Sequence, residues 1–160
     1  MKLKDGKDIY SLCELLWPIT RSITGNGVRE TLSIIQQEIP DLTIQEVPTG
    51  TQCFDWKVPK EWNIKDAYII DPDGNKVADF QENNLHIVSY STPVNKTMPL
   101  SELQQYLHSL PEQSNAIPYL TSYYEERWGF CLTESQRKDL KEGDYQVYID
   151  SELSDGSLTY

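Results

Sequence analysis

Trp17-Pro18-Ile19-Thr20-Arg21-Ser22-Ile23-Thr24-Gly25-Asn26-Gly27 gathers a cation, three hydroxyls and two glycines into one short loop between two segments of helical periodicity. A plain turn between helices needs far less chemistry. Upstream, Ile9, Leu12, Cys13 and Leu16 recur at helical spacing. They predict an amphipathic helix that ends at Trp17, because a residue before proline is pushed out of the helical region. Downstream, Val28, Thr31, Leu32, Ile35 and Ile39 predict a second helix, stopped by Pro40 and capped by Thr24 or Asn26. A β-rich run at 42–47 follows, closed by Pro48 and Gly50. The first fifty residues read helix, loop, helix, strand.

From residue 51 to about 143 the chain turns aromatic and β-branched, cut by turn signals. Segments 67–70 and 76–80 flank Asp71-Pro72-Asp73-Gly74-Asn75, a hairpin signal. Strands are expected at 85–90, 118–124 and 129–132, and a helix at 100–110 through Leu103, Tyr106 and Leu107. Thr133 with Gln136 forms a capping box for another short helix. Then Tyr145, Val147, Ile149 and Leu153 alternate with Gln146, Tyr148, Asp150 and Glu152, a half-buried strand. Ser154-Asp155-Gly156-Ser157 reads as a hairpin turn, with 158–160 beginning a returning strand. The class is α+β. The parts are 1–50, a β-rich insert at 51–143 and a returning hairpin at 144–160. A strand cut short at Tyr160 carries the expectation of further protein beyond it, and of self-association through an exposed sheet edge.

Composition narrows function. A net charge of −11 with no basic concentration argues against nucleic acid, which demands a Lys/Arg surface. The acidity is dispersed, as solubility requires. Cys13, Cys53 and Cys131 lie far apart with no CxxC pair, which fits a reducing cytoplasm and neither a zinc knuckle nor a disulfide framework. The polar start at 1–8 predicts no signal peptide, and no run approaches the ~18 apolar residues of a membrane span.

Catalytic constellations are sparse. His86 and His108 have no His-x-x-x-His or His-x-Asp companion. His108 reads as a partly exposed helix position, and His86, after the polar stretch 81–84, as a satisfied strand histidine in preference to a hydrogen-bonding site residue. No Gly-x-Ser-x-Gly elbow occurs, and Ser22 has no base nearby in sequence. Asp150 and Glu152 share one strand face, the spacing of a solvated surface. Tyr119, Tyr123, Tyr124, Trp128 and Phe130 crowd one stretch with Glu125, Glu126 and Arg127 among them. Such a stretch is either a β-domain core with its edges or a surface for a sugar, peptide or protein partner.

The segment from Trp17 through Val28-Arg29-Glu30-Thr31-Leu32 resembles the opening of a bacterial aminopeptidase-like family of unknown function, often associated with polysaccharide biosynthesis. Further blocks agree in order: Phe54-Asp55-Trp56 with Val58-Pro59-Lys60-Glu61-Trp62, Leu85-His86 through Ser89-Tyr90-Ser91-Thr92-Pro93-Val94, and Thr121-Ser122-Tyr123-Tyr124 with Arg127-Trp128-Gly129-Phe130-Cys131. The ending from Ile149 to Tyr160 agrees as well. The resemblance implies an α/β zinc-exopeptidase-like domain begun by 1–50, interrupted by the 51–143 insert and resumed by 144–160. It implies a zinc-dependent hydrolase of a peptide-like amide whose metal ligands lie after Tyr160. This chain then holds no metal site and no catalytic residue of its own. Arg21 would hold an anionic group of a small peptide-like substrate, since a guanidinium matches a carboxylate bidentately. Tyr124 and Trp128 would wall the cleft. A β-rich binding module using the aromatic stretch is the alternative.

Overall fold

Two helices lead the chain in the computed structural model, which describes residues 5–160: α1 (Gly6–Leu16) and α2 (Asn26–Glu38). Strands β1 (Glu46–Pro48), β2 (Gln52–Cys53), β3 (Trp56–Lys57), β4 (Glu61–Ile70), β5 (Lys76–Asp79) and β6 (Val94–Pro99) follow. Helix α3 (Leu100–Leu103), strands β7 (Leu107–His108) and β8 (Phe130–Cys131), helix α4 (Glu134–Lys138), and strands β9 (Asp144–Ser154) and β10 (Ser157–Thr159) complete it. The class is α+β, as expected. Two compact units form: the described residues up to Asn63 together with Leu153–Tyr160, and Ile64–Glu152. The chain passes between them within β4 and β9. The sequence places the change of character at 51 and 143 instead, because composition shifts in the loops around the strands and not within them.

In the first unit, α1 begins where the Asp5 carboxylate accepts the N–H groups of Lys7 and Asp8 at 2.8 and 3.2 Å, satisfying donors the helix leaves open. It ends ahead of Pro18. None of its residues is buried, and Ile9, Tyr10 and Leu15 are largely exposed. Neither expected cap serves α2. Gly25, at φ +88°, occupies the cap position, and Asn63 Oδ1 accepts the Asn26 N–H at 2.8 Å from outside the helix. Thr24 is buried, and its Oγ1 accepts the Trp62 N–H at 3.1 Å.

The expected strand at 42–47 forms later, as β1. It pairs antiparallel with β10, with Glu46 opposite Thr159 and Pro48 opposite Ser157. The last strand therefore does not fold back on β9 as a hairpin. Its start is held by the Thr49 hydroxyl, which accepts the Gly156 N–H at 3.1 Å, and by the Glu61 carboxylate, which accepts the Ser157 N–H at 3.3 Å.

The second unit is built on a four-stranded sheet in the order β5-β4-β9-β6. Its inner face buries Ala67, Ile69, Ala78, Val94, Met98, Tyr145, Val147 and Ile149. Leu100, Leu103, Leu107, Ile87, Val88, Phe130 and Leu132 fill the rest of this core. The hairpin at 71–75 and the capping box at Thr133 form as expected. Three expectations fail. The helix at 100–110 is one turn of α3 and a 3₁₀ turn at Gln104–Tyr106, after which Leu107 and His108 pair in parallel with Phe130 and Cys131. His108 thus sits on a strand. Leu103 and Leu107 are both buried, and their spacing suits either conformation. The strand at 85–90 starts as a 3₁₀ turn, Asn84–His86, because the Asn83 side chain accepts the Leu85 N–H. Single bridges from Ile87 to Phe130 and from Ser89 to Thr121 replace a ladder. At 118–124, only the Thr121 bridge survives, and a turn in which Glu125 N–H donates to the Ser122 carbonyl follows it.

Candidate functional site

The chemistry of the 17–27 loop goes largely into structure. Arg21 is exposed, and its Nη1 donates to the carbonyls of Leu16 at 2.7 Å and Ile19 at 3.4 Å, closing the C-terminal end of α1. Gly27 packs so tightly that a Cβ there would lie 1.8 Å from the Thr20 carbonyl oxygen. Beside it is a polar knot that sequence reading missed. Glu61, buried at the start of β4, accepts two hydrogen bonds from the Arg29 guanidinium, from Nη1 at 3.1 Å and from Nη2. Arg29 Nη2 also donates to Asn26 Oδ1, and Asn63 Nδ2 donates to Glu61 Oε1 at 3.2 Å. The Arg29 hydrogen bonds hold the Glu61 carboxyl below its ordinary range; burial opposes them, and Asn63 and Ser157 assist. An Arg–Glu pair 32 residues apart leaves no mark in local periodicity, so no signal in the sequence identifies it.

Tyr124 and Trp128, read together from one stretch, join different aromatic groups in the second unit. Tyr124, largely exposed, meets Tyr123 at 4.3 Å between ring centroids, and Tyr123 meets Tyr90 edge-on at 5.8 Å. Trp128 stacks on Tyr106 at 3.8 Å, and the Lys96 ammonium lies 5.2 Å from the Trp128 ring and 5.8 Å from the Tyr106 ring. Phe130, from the same stretch, is fully buried core.

The histidines converge on the backbone of β8. His86 is buried, and its Nδ1–H donates to the Cys131 carbonyl at 2.8 Å. His108 stands opposite Cys131 in the parallel pair. Burial, then the charges of Arg127 and Arg137, hold its imidazole below the ordinary histidine value. The Cys131 thiol is inaccessible, and burial pushes it up to about 12. Among the described residues no three of His, Cys, Asp and Glu stand where they could hold a metal ion. The described residues do not fit a zinc centre. Among the described residues, no helix is long and apolar enough to cross a membrane.

The second unit also carries an open groove of about 490 Å³, lined by Tyr68, Asn95, Lys96, Thr97, Gln146, Val147 and Tyr148. It runs across three adjacent strands. Asn95 stands opposite Tyr148 and Thr97 opposite Gln146 in the β6–β9 register, while Tyr68 on β4 stacks on Tyr148 with centroids 5.0 Å apart and planes 27° apart. The alternation at 145–153 already assigned Gln146 and Tyr148 to the outer face. Their neighbours from β4 and β6 were not legible.

Comparison with known proteins agrees with the resemblance. A Clostridium acetobutylicum protein provisionally named as a polysaccharide biosynthesis protein with an aminopeptidase-like domain is 61% identical over 97% of this chain. A crystal structure of a provisionally named peptidase from that organism has a TM-score of 0.90 at 61% identity over 96% of the chain. This chain spans about 36% of the length of each. A family model described as a domain of unknown function, DUF2172, matches residues 61–152. That segment covers more than half of the chain and nearly coincides with the compact unit Ile64–Glu152. The chain belongs to the DUF2172 family, whose function is unknown.

Proposed function

We propose that this chain is part of a longer zinc-dependent aminopeptidase-like hydrolase that acts on a peptide-like amide, and that it is inactive alone. The observation that carries this reading is the 61% identity to a protein named for an aminopeptidase-like domain, of which the chain spans 36%. The zinc ligands and the general base would come from the rest of the protein. Arg21 would meet an anionic substrate group through Nε and Nη2, its Nη1 being engaged by the end of α1. Tyr124 and Trp128 would contribute aromatic surface to substrate binding, and the compartment would be the cytoplasm.

Aminoacyl p-nitroanilide hydrolysis by the full-length protein, set beside the 160-residue chain, tests this. Turnover is expected only from the full-length protein, lost with a chelator and restored by zinc. Hydrolysis by the short chain, or turnover indifferent to chelation, would overturn it. Arg21→Ala in the full-length protein is expected to raise KM about tenfold with kcat little changed, the mark of a lost binding contact.

A further inference from the structure

We propose that the groove across β4, β9 and β6 is a binding site for a neutral saccharide. The floor of the groove pairs an aromatic platform with amides and a hydroxyl. Tyr68 and Tyr148 stack on one another, and the Lys76 ammonium lies 4.6 Å from the Tyr68 ring; Asn95 stands directly opposite Tyr148, and Thr97 pairs with Gln146 two residues along the same face. Sugars present just this division, an apolar C–H face and a rim of hydroxyls. Tyrosine offers an apolar ring with a polar tip to such a ligand. Each carboxamide offers two donors and an acceptor to neighbouring hydroxyls. Asn95, Thr97 and Gln146 are exposed to solvent on this face, so their donors and acceptors are open to a ligand.

Charge narrows the ligand further. Lys96 is the charged residue of the lining, its ammonium over the Trp128 and Tyr106 rings, and Lys76, whose ammonium lies over the Tyr68 ring, is neutralised by Asp79 at 2.8 Å. No guanidinium lines the groove to clamp a phosphate or carboxylate, and the chain's net charge of −11 repels anions. The volume of about 490 Å³ falls within the roughly 300–1,000 Å³ of ordinary small-ligand sites. The site is independent of the hydrolase reading, because it needs neither metal nor bond cleavage.

Isotope-labelled 160-residue chain titrated with chitotriose and with maltotriose, each to about 20 mM to reach millimolar affinity, tests the assignment by NMR. With at least one of them, shifts are expected at Tyr68, at 95–97 and 146–148, and in the side-chain amides of Asn95 and Gln146. Tyr148→Ala and Gln146→Ala, both on the outer face, should each weaken binding about tenfold or more, while the exposed Glu142→Ala leaves it unchanged. Silence from both sugars would overturn the proposal. So would shifts that survive Tyr148→Ala, or binding of a uronic acid trimer in place of the neutral sugars. Since no hydrolysis is read, a negative result leaves the peptidase proposal standing.

Discussion

Glu61 shows how one side chain can organise a unit. It takes Arg29 from α2, Asn63 from its own strand and the Ser157 N–H from β10, so three separate segments meet at one carboxylate. The folded state keeps that group ionised to lower pH than the unfolded chain does, chiefly through Arg29. The stabilisation is fully present above the unfolded value of ~4.3 and drains away as pH falls through the folded one. Urea midpoints measured from pH 7 downward should therefore fall below about pH 4.3, and Glu61→Gln should flatten that part of the profile. At pH 7 the same substitution should cost about 2 kcal/mol, since it strands the half-buried Arg29. Cys131 supplies a second check. Its thiol is inaccessible and lifted to about 12, whereas Cys13 is exposed and Cys53 partly so. Iodoacetamide at pH 8 should label Cys13 and Cys53 in the native chain and reach Cys131 only after denaturation.

The elements differ in how local their causes are. The 71–75 turn is closed by its own residues, with Asp71 Oδ1 accepting the N–H groups of Asp73 and Asn75, and Lys141 adds an ion pair to Asp73 from outside. The α4 cap is equally local: Thr133 Oγ1 accepts the Gln136 N–H at 3.0 Å, and Gln136 Oε1 accepts the Thr133 N–H at 2.9 Å. Both were legible because partners two to four residues apart leave a pattern in sequence. Thr133→Ala should cost about 1 kcal/mol in chemical denaturation. The cap of α2 is the opposite case, since its acceptor is Asn63. Thr24 and Asn26 have the right chemistry but not the position. Gly27→Ala should cost about 3 kcal/mol, because the added carbon meets a backbone carbonyl that cannot step aside. A loss under about 0.5 kcal/mol in the same assay would mean that the 20–27 backbone yields.

At the scale of the molecule, the family match and the compact unit nearly coincide on one continuous segment, whereas the other unit is assembled from two. A fragment spanning 61–152 holds β4, β5 and β6 entire and β9 as far as Glu152, with the core residues they bury. Expressed alone, it should unfold cooperatively and give a dispersed amide spectrum; a collapsed, undispersed spectrum would show that the unit depends on the flanking segments. The sequence by itself determined the α+β class, the helical start, the local turn and cap, the outward face of β9 and the family resemblance. These depend on periodicity and on residues within a few positions of one another. Only the tertiary structure decided that β10 pairs with β1, that His108 lies on a strand, that Tyr124 and Trp128 belong to different groups, and that Asn95, Gln146, Tyr68 and Tyr148 share one surface. Those outcomes depend on which distant strands pair. Pairing is set by the burial of whole sheet faces and not by any single segment's pattern. The opening loop therefore identified the family, while its residues serve chiefly to hold the first unit together.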